Sequence, residues 1–272
     1  MCKNYFRFIA LFVFLILLPF DIFSASPFKF AFFTDLHISQ TSKEPVEDLQ
    51  KAVDEVNSFK DLDFVLVSGD ITQKGDSNSL AVAKRILQHL TIPFYIVAGN
   101  HDFYWLTSGP NIFKEVFGND KFSFTHKGFK FIGFTTTPLN SQGNGFILKQ
   151  DVDWMALELN KADSEMPVFV ITHYPLQTGD VDNWKDMTDL LKKFNIQALL
   201  GGHYHRNTFL NYDGIPGIIH RSTLRGKQLV GGYSILSVAD TLMVSEKVIG
   251  QQEEVWLKLP LTKKKTNLKS NI

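Results

Sequence analysis

The chain has 272 residues, 28 of them basic and 28 acidic, so its formal net charge is zero. That balance excludes the strong one-sign field of a nucleic-acid or acidic-lipid binder. Hydrophobic residues make up 44%, enough for one large domain or two small ones, and the 25 phenylalanines suit strands and a core.

Lys3 and Arg7 precede an apolar run from Phe8 to Leu18, and Pro19, Asp21, Ser24, Ala25 and Ser26 follow it. A basic start, a short apolar stretch and a small-residue exit mark a secretory signal peptide. The run is too short for a spanning helix, which needs about 20 residues. The expectation is cleavage near residues 24–26, loss of residues 1–25 and an exported protein, periplasmic or extracellular. An uncleaved N-terminal membrane anchor is the alternative. The single cysteine, Cys2, lies ahead of the run, so the mature chain has no disulfide and no thiol ligand or nucleophile.

From residue 26 to 260 strands and helices alternate within one domain. FKFAFFTD (28–35) reads as a strand. Val46, Leu49, Val53, Val56 and Phe59 recur at spacings of three and four, which is a helix face. DFVLVSGD (63–70) is a second strand, 79–90 a helix and PFYIVAGNHD (93–102) a third strand. This alternation predicts parallel βαβ pairing. The stretch 121–137 alternates on both sides of Lys127-Gly128, which predicts a hairpin. A helix over about 150–162, a strand over 167–173, a helix over 185–194 and a strand over 196–203 follow. From 206 to 259 the pattern is successive strands, with turns at Asp213-Gly214 and Gly231-Gly232. Residues 261–272 are a basic polar tail, read as a frayed end. The fold class is α/β. Two mixed sheets face to face, flanked by helices, would use all these strands, whereas a single parallel sheet leaves the β-rich last third unexplained.

The predicted strand ends share a chemistry. The first ends in TDLH, with Asp35 and His37. The second ends in GD, with Asp70, and the third in GNHD, with Asn100, His101 and Asp102. THYP supplies His173, and GGHYH supplies His203 and His205. His89, His126 and His220 lie elsewhere and receive no role. Ligands of open α/β sheets bind outside the carboxyl ends of the strands, so these groups are expected to converge. Buried without partners they would cost roughly 1–3 kcal/mol each. Metal ions remove that cost, and mixed N and O donors suit Mn, Fe, Zn, Ni or Co. Gly69, Gly99 and Gly202 directly precede Asp70, Asn100 and His203, where a sharp turn or close approach favours glycine. Tyr104 and Trp105 follow the third motif and are candidates for a substrate wall.

The ordered set D-x-H, G-D, G-N-H-D, a strand-end His and G-H-x-H resembles the calcineurin-like metallophosphoesterases over roughly residues 28 to 207. The resemblance implies a four-layer α/β/β/α sandwich and two metal ions. It assigns Asp35, His37, Asp70 and His205 to the first ion. Asp70 would bridge to a second, held also by Asn100, His173 and His203. On GGHYH, the two histidines would point the same way if the chain is extended, with Tyr204 pointing away. The implied reaction is hydrolysis of a small phosphate mono- or diester by a metal-bridging hydroxide, with His101 contacting phosphate and protonating the leaving oxygen. Asp102 is assigned to orienting one of the histidines, although Asp at such a place also caps a helix.

GDITQ places Gln73 where the purple acid phosphatase branch carries an iron-binding Tyr, which disfavours that branch. SGDITQKGD looks more like the branch that includes class III cyclic-nucleotide phosphodiesterases. The chain has no G-x-S-x-G elbow for a serine hydrolase, and HYHRNT lacks the H-x-H-x-D-H of metallo-β-lactamases. The non-enzyme alternative is a secreted, metal-stabilised binding or scaffold protein.

Overall fold

The computed structural model describes residues 26–103, 109–138 and 144–262. The first half runs β1 (Phe28–Phe33), α1 (Glu44–Ser58), β2 (Phe64–Ser68), α2 (Ser77–Leu87), β3 (Phe94–Val97), α3 (Asn100–Phe103), α4 (Gly109–Phe117), β4 (Phe122–His126) and β5 (Phe129–Gly133). It continues through β6 (Thr137–Pro138), β7 (Gly145–Phe146), α5 (Lys149–Asn160), β8 (Val168–Ile171), α6 (Trp184–Leu191) and β9 (Ile196–Gly201). Five strands close the chain: β10 (Thr208–Tyr212), β11 (Ile215–Ile219), β12 (Gly232–Val238), β13 (Thr241–Val248) and β14 (Glu254–Pro260).

Strand alternation decides the layers. Phe28, Phe30, Phe32, Phe64 and Leu66 point to one face of the first sheet, ordered β14-β13-β12-β1-β2-β3. They meet Phe129, Phe131, Phe169, Ile171 and Leu200 from the second, ordered β10-β11-β9-β8-β5-β4. The phenylalanines interlock: Phe64 meets Phe131 edge to face at 5.1 Å, and Phe30 meets it at 5.6 Å. Such pairs add about 0.5–1.5 kcal/mol beyond burial. The intervening residues point outward. Ala31, Phe33, Val65 and Val67 join Leu49, Val53, Leu80 and Ala83 of α1 and α2. On the far side, Ile132, Val168 and Val170 join Met155 and Leu159 of α5 and Met187 and Leu191 of α6. The result is the expected α/β/β/α sandwich, and both large sheets are mixed.

Three local expectations need correction. The third strand stops at Val97, and Asn100–Phe103 is a helical turn, because the chain bends after Gly99 to bring Asn100 inward. Gly231-Gly232 is no strand-to-strand turn: Gly232 begins β12, and the reversal into β13 falls at Ala239-Asp240. Helix α4, over 109–117, carries no counterpart in the strand-and-helix pattern read from sequence. The predicted leader, most of the basic tail, Tyr104 and Trp105 lie outside the described residues.

β1, β2 and β3 are parallel, as are β5, β8, β9 and β11. The carboxyl ends of β1, β2, β3, β8 and β9 therefore lead the chain into the loops that carry the motif residues.

Candidate metal centre

The backbone at this rim is bent in an unusual way. Asp35, His37, Asp70, His203 and His205 all have positive φ, from 50° to 72°. Among the described residues only Lys127 and Asp213, at hairpin turns, share this trait without being glycine. Left-handed backbone costs roughly 1–2 kcal/mol per L-residue, so strain is concentrated on the motif residues. It also corrects the alternation expected for GGHYH. β9 ends at Gly201, and His203 and His205 sit in a turn instead of an extended strand. The two imidazoles converge because the chain coils, not because it alternates.

The loops are tied to one another. The Asp35 amide donates to the Gly69 carbonyl at 3.1 Å, and the His37 amide to that of Asp70 at 2.9 Å. The His203 amide donates to Asp35 Oδ2 at 3.1 Å, and the Gly202 amide to the His173 carbonyl at 3.0 Å. A Cβ on Gly202 would fall 1.9 Å from Thr34 Oγ1, and one on Gly99 would fall 2.3 Å from the Asp70 amide. Only glycine permits these approaches.

Two groups of candidate ligand atoms result, each within 4.8 Å: Asp35, His37, Asp70 and His205, then Asp70, His173 and His203. Asp70 belongs to both. His37 Nε2 lies 3.1 Å from His205 Nε2, and His205 Nε2 lies 3.1 Å from Asp35 Oδ1. His173 Nε2 lies 3.3 Å from Asp70 Oδ2. Asn100 is buried on the adjoining turn. Six of the seven residues expected as ligands are thus brought together, and Asn100 directly precedes His101, whose amide bonds Asp70. Asp35 Oδ1, His37 Nδ1, Asn100 Oδ1 and His173 Nε2 are buried without a hydrogen-bond partner. His37 presents its other nitrogen to the cluster, and the remaining three are the donor atoms a cation would take up. Nitrogen and oxygen donors without sulfur fit a borderline divalent metal.

Burial would raise the Asp70 carboxyl, but the charges of His173 and His37 outweigh it and hold the group far below the carboxylate range. Asp35 is lowered too: burial opposes ionisation, and His205 and His173 overcome it. His203, by contrast, is pushed down to about 4 by burial and by the charge of His173, and is a neutral donor near pH 7. Two ionised carboxylates beside a neutral His203 favour a cation between them, and such a cation would take the place of the proton on His173.

His101 sits on α3. Its amide donates to Asp70 Oδ1 at 2.9 Å, and its ring Nδ1 lies 2.9 Å from the Gln73 carbonyl. A carbonyl only accepts, so Nδ1 carries the hydrogen and Nε2 is the nitrogen turned to other partners. The ring meets that of His37 edge to face at 4.8 Å. Sequence expects Asp102 to orient a histidine or cap a helix, and the structure shows no histidine on its carboxylate. Its buried carboxylate accepts from the amides of Gly99, Ile71 and Thr72 and from the Thr72 hydroxyl. It therefore braces the turns that carry Asp70 and Asn100. Burial, then the charge of Asp70, raises this carboxyl to about 6.

Sequence reasoning missed three supports. Thr34 Oγ1 donates to the Ser68 carbonyl at 2.9 Å and lies 2.8 Å from Asp35 Oδ2. The Leu224 amide donates to the Asp35 carbonyl at 3.3 Å. Asp180 accepts from Tyr204 Oη at 2.6 Å and lies 3.9 Å from His203 Nε2. Thr34 stands beside Asp35 in FTD and was within reach of a sequence argument. The other two are long-range contacts without a local signal.

Residues 28–207 match the profile of the calcineurin-like phosphoesterase family. A probable cyclic nucleotide phosphodiesterase of Ruthia magnifica is 27% identical over 65% of this chain and 76% of its own. A probable glycerophosphodiester phosphodiesterase of Arcobacter nitrofigilis is 28% identical over 64% and 70%. A serine/threonine-protein phosphatase of Mus musculus is 27% identical over 58% and 54%. The fold is shared with a purple acid phosphatase from yellow lupin, at TM-score 0.61 and 12% identity over 86% of this chain and 53% of that one.

Proposed function

This chain belongs to the calcineurin-like phosphoesterase family of metal-dependent hydrolases, and from that premise we propose that it is an exported, two-metal phosphodiesterase. The observation that carries the two-metal reading is Asp70, common to both groups of ligand atoms. Asp35, His37, Asp70 and His205 would hold one ion, and Asp70, Asn100, His173 and His203 the other. Bound ions supply Lewis acidity, which draws charge from phosphoryl oxygens and acidifies the attacking water. His101 supplies the proton for the leaving oxygen from Nε2, since the Gln73 carbonyl occupies Nδ1. The hydrogen bond that its backbone N–H donates to Asp70 Oδ1 keeps that acid in register with the metal ligands. Asp102 keeps the Asp70 and Asn100 turns at fixed spacing. Diester preference is supported by the two bacterial relatives named as phosphodiesterases, each matched over more than two thirds of its length. The mouse phosphatase supports monoester hydrolysis as the second reading. Export is supported by the basic, apolar and small-residue order of residues 1–26.

The test is hydrolysis of bis-p-nitrophenyl phosphate beside p-nitrophenyl phosphate by Mn²⁺-loaded protein, parent and His101→Ala. Metal-dependent turnover is expected to favour the diester. Loss of His101 is expected to cost about 10²–10⁴-fold, and more on esters of poorer leaving groups than p-nitrophenol. Monoester preference would replace the diesterase reading. Equal loss across leaving groups would remove His101 as the acid.

A further inference from the structure

The two imidazoles of the second ligand group are held in different ways. His173 Nδ1 lies 2.7 Å from the Ser68 carbonyl, so that nitrogen carries a hydrogen and Nε2 faces Asp70 Oδ2 at 3.3 Å. His203 turns Nε2 toward a side chain instead, the carboxylate of Asp180, whose Oδ1 is 3.9 Å away. Resting on the two-metal reading, we propose that Asp180 is a positioning residue for the second ion: it keeps the His203 hydrogen on Nε2 and so presents the Nδ1 lone pair to the metal. The separation is longer than a hydrogen bond. Charge acts across it, since a carboxylate favours the tautomer whose N–H lies nearest. A carboxylate behind a ligand imidazole also raises that ligand's basicity.

The carboxylate is held where this role needs it. Asp180 lies on the loop that follows His173, and its side chain is only 11% exposed, so little water screens its charge. Oδ2 accepts from Tyr204 Oη at 2.6 Å and from Gln177 Nε2 at 2.9 Å, and the same amide donates to Tyr204 Oη at 2.8 Å. Both bonds to the carboxylate fall on Oδ2, which leaves Oδ1 for His203. The main chain is pinned too. The Asp180 amide donates to the Gln177 carbonyl at 3.2 Å, and the Gly145 amide to the Asp180 carbonyl at 2.7 Å. Tyr204 stands between His203 and His205, so this triangle ties the loop after His173 to the turn that carries both later histidines. The His203 ring also packs against Tyr174 at 4.5 Å and His173 at 5.4 Å, which limits its rotation. In the first ligand group, His205 Nε2 meets Asp35, itself an expected ligand, so Asp180 bears on the second ion.

Calorimetric titration of metal-free protein with Mn²⁺, beside nitrogen-15 NMR of the imidazoles at about pH 8, where unperturbed histidine is neutral, tests this. The parent is expected to bind two ions and, before metal is added, to carry the His203 hydrogen on Nε2. Asp180→Asn is expected to weaken the second ion about 10–100-fold, leave the first unchanged and move His203 toward the Nδ1–H tautomer. Tyr204→Phe removes one bond from Oδ2 and is expected to cause a smaller loss at the same site, about two- to tenfold. Asp182→Asn removes the same charge two residues away, where the carboxylate accepts from Asn144 at 2.7 Å on the surface, and is expected to leave both affinities unchanged. A parent His203 ring with a proton on Nδ1, parent-like affinity for the second ion in Asp180→Asn, or an equal loss in Asp182→Asn would overturn the role of Asp180 and leave the two-metal reading standing. Uptake of a single ion by the parent would remove the two-metal reading and the second-ion role with it.

Discussion

Burial alone would strip the proton from His173, yet the charges of Asp70 and Asp35 outweigh it and carry its pKa up to about 9. In metal-free protein near neutral pH this imidazole therefore holds two protons, and ligation through Nε2 must expel one. The sign follows: metal affinity rises with pH until about 9 and falls as acid reloads His173. His203, already neutral above about 4, adds nothing to that slope near pH 7. His205, which its bond to Asp35 also raises, adds to the slope, and calorimetry of metal binding in buffers of differing ionisation enthalpy is expected to report net proton release. An enthalpy independent of buffer would contradict the assignment of His173. Residue identity at the centre was legible because each ligand type stands at the end of an apolar strand. Asp102 was not, since its partners Ile71 and Thr72 lie some 30 residues away. His220, left without a role by sequence, is a buried core residue. It lies against Phe32 at 4.1 Å with Nδ1 2.9 Å from Ser234 Oγ.

At the scale of elements, the glycines separate two physical reasons that sequence alone merges. Gly69 has φ +77° and also approaches Gly99. Gly99 needs no positive φ; its demand is steric, since an added Cβ would overlap the Asp70 amide and carboxylate at 2.3 Å. Gly128, in the β4–β5 hairpin, has φ +84° and open space around it. Gly99→Ala is therefore expected to displace the Asp70 turn, lower metal affinity at least tenfold and destabilise the fold by about 1–3 kcal/mol. Gly128→Ala is expected to cost about 1 kcal/mol through backbone strain with metal affinity retained. Urea unfolding and metal titration of both variants distinguish the cases. Parent-like metal affinity in Gly99→Ala would show that the close approach is not required. The strands and the long helices were legible because alternation and 3.6-residue spacing are local. The turn at Asn100–Phe103 and the left-handed bends at His203 and His205 were not, because they are imposed by packing between strand ends that sequence separates.

For the whole molecule, the proposed export makes its own prediction. Mass spectrometry of the protein purified from the cell exterior or periplasm is expected to find a mature N-terminus near residues 25–27. An intact Met1 would refute cleavage and favour the anchored form. β1 begins at Phe28, so cleavage there leaves the first strand whole. The layer order was also written in the chain: phenylalanine at alternate positions of β1 and β5, and Phe169 with Ile171 on β8, select one inner face, and period-two patterning survives without knowledge of partners. By itself, then, the sequence determined the α/β class, the two-sheet sandwich, the converging strand ends and the residue types of the centre, because periodicity and the carboxyl-end rule act within a few residues. Only the tertiary structure decided that the Leu224 amide reaches the Asp35 carbonyl, that Asp102 grips amides instead of imidazoles, and that Gln73, Arg225 and Glu44 enclose one cleft. Those arrangements join residues as far apart as Asp48 and Arg225, at a separation of 177, and no local pattern records which distant loops will meet.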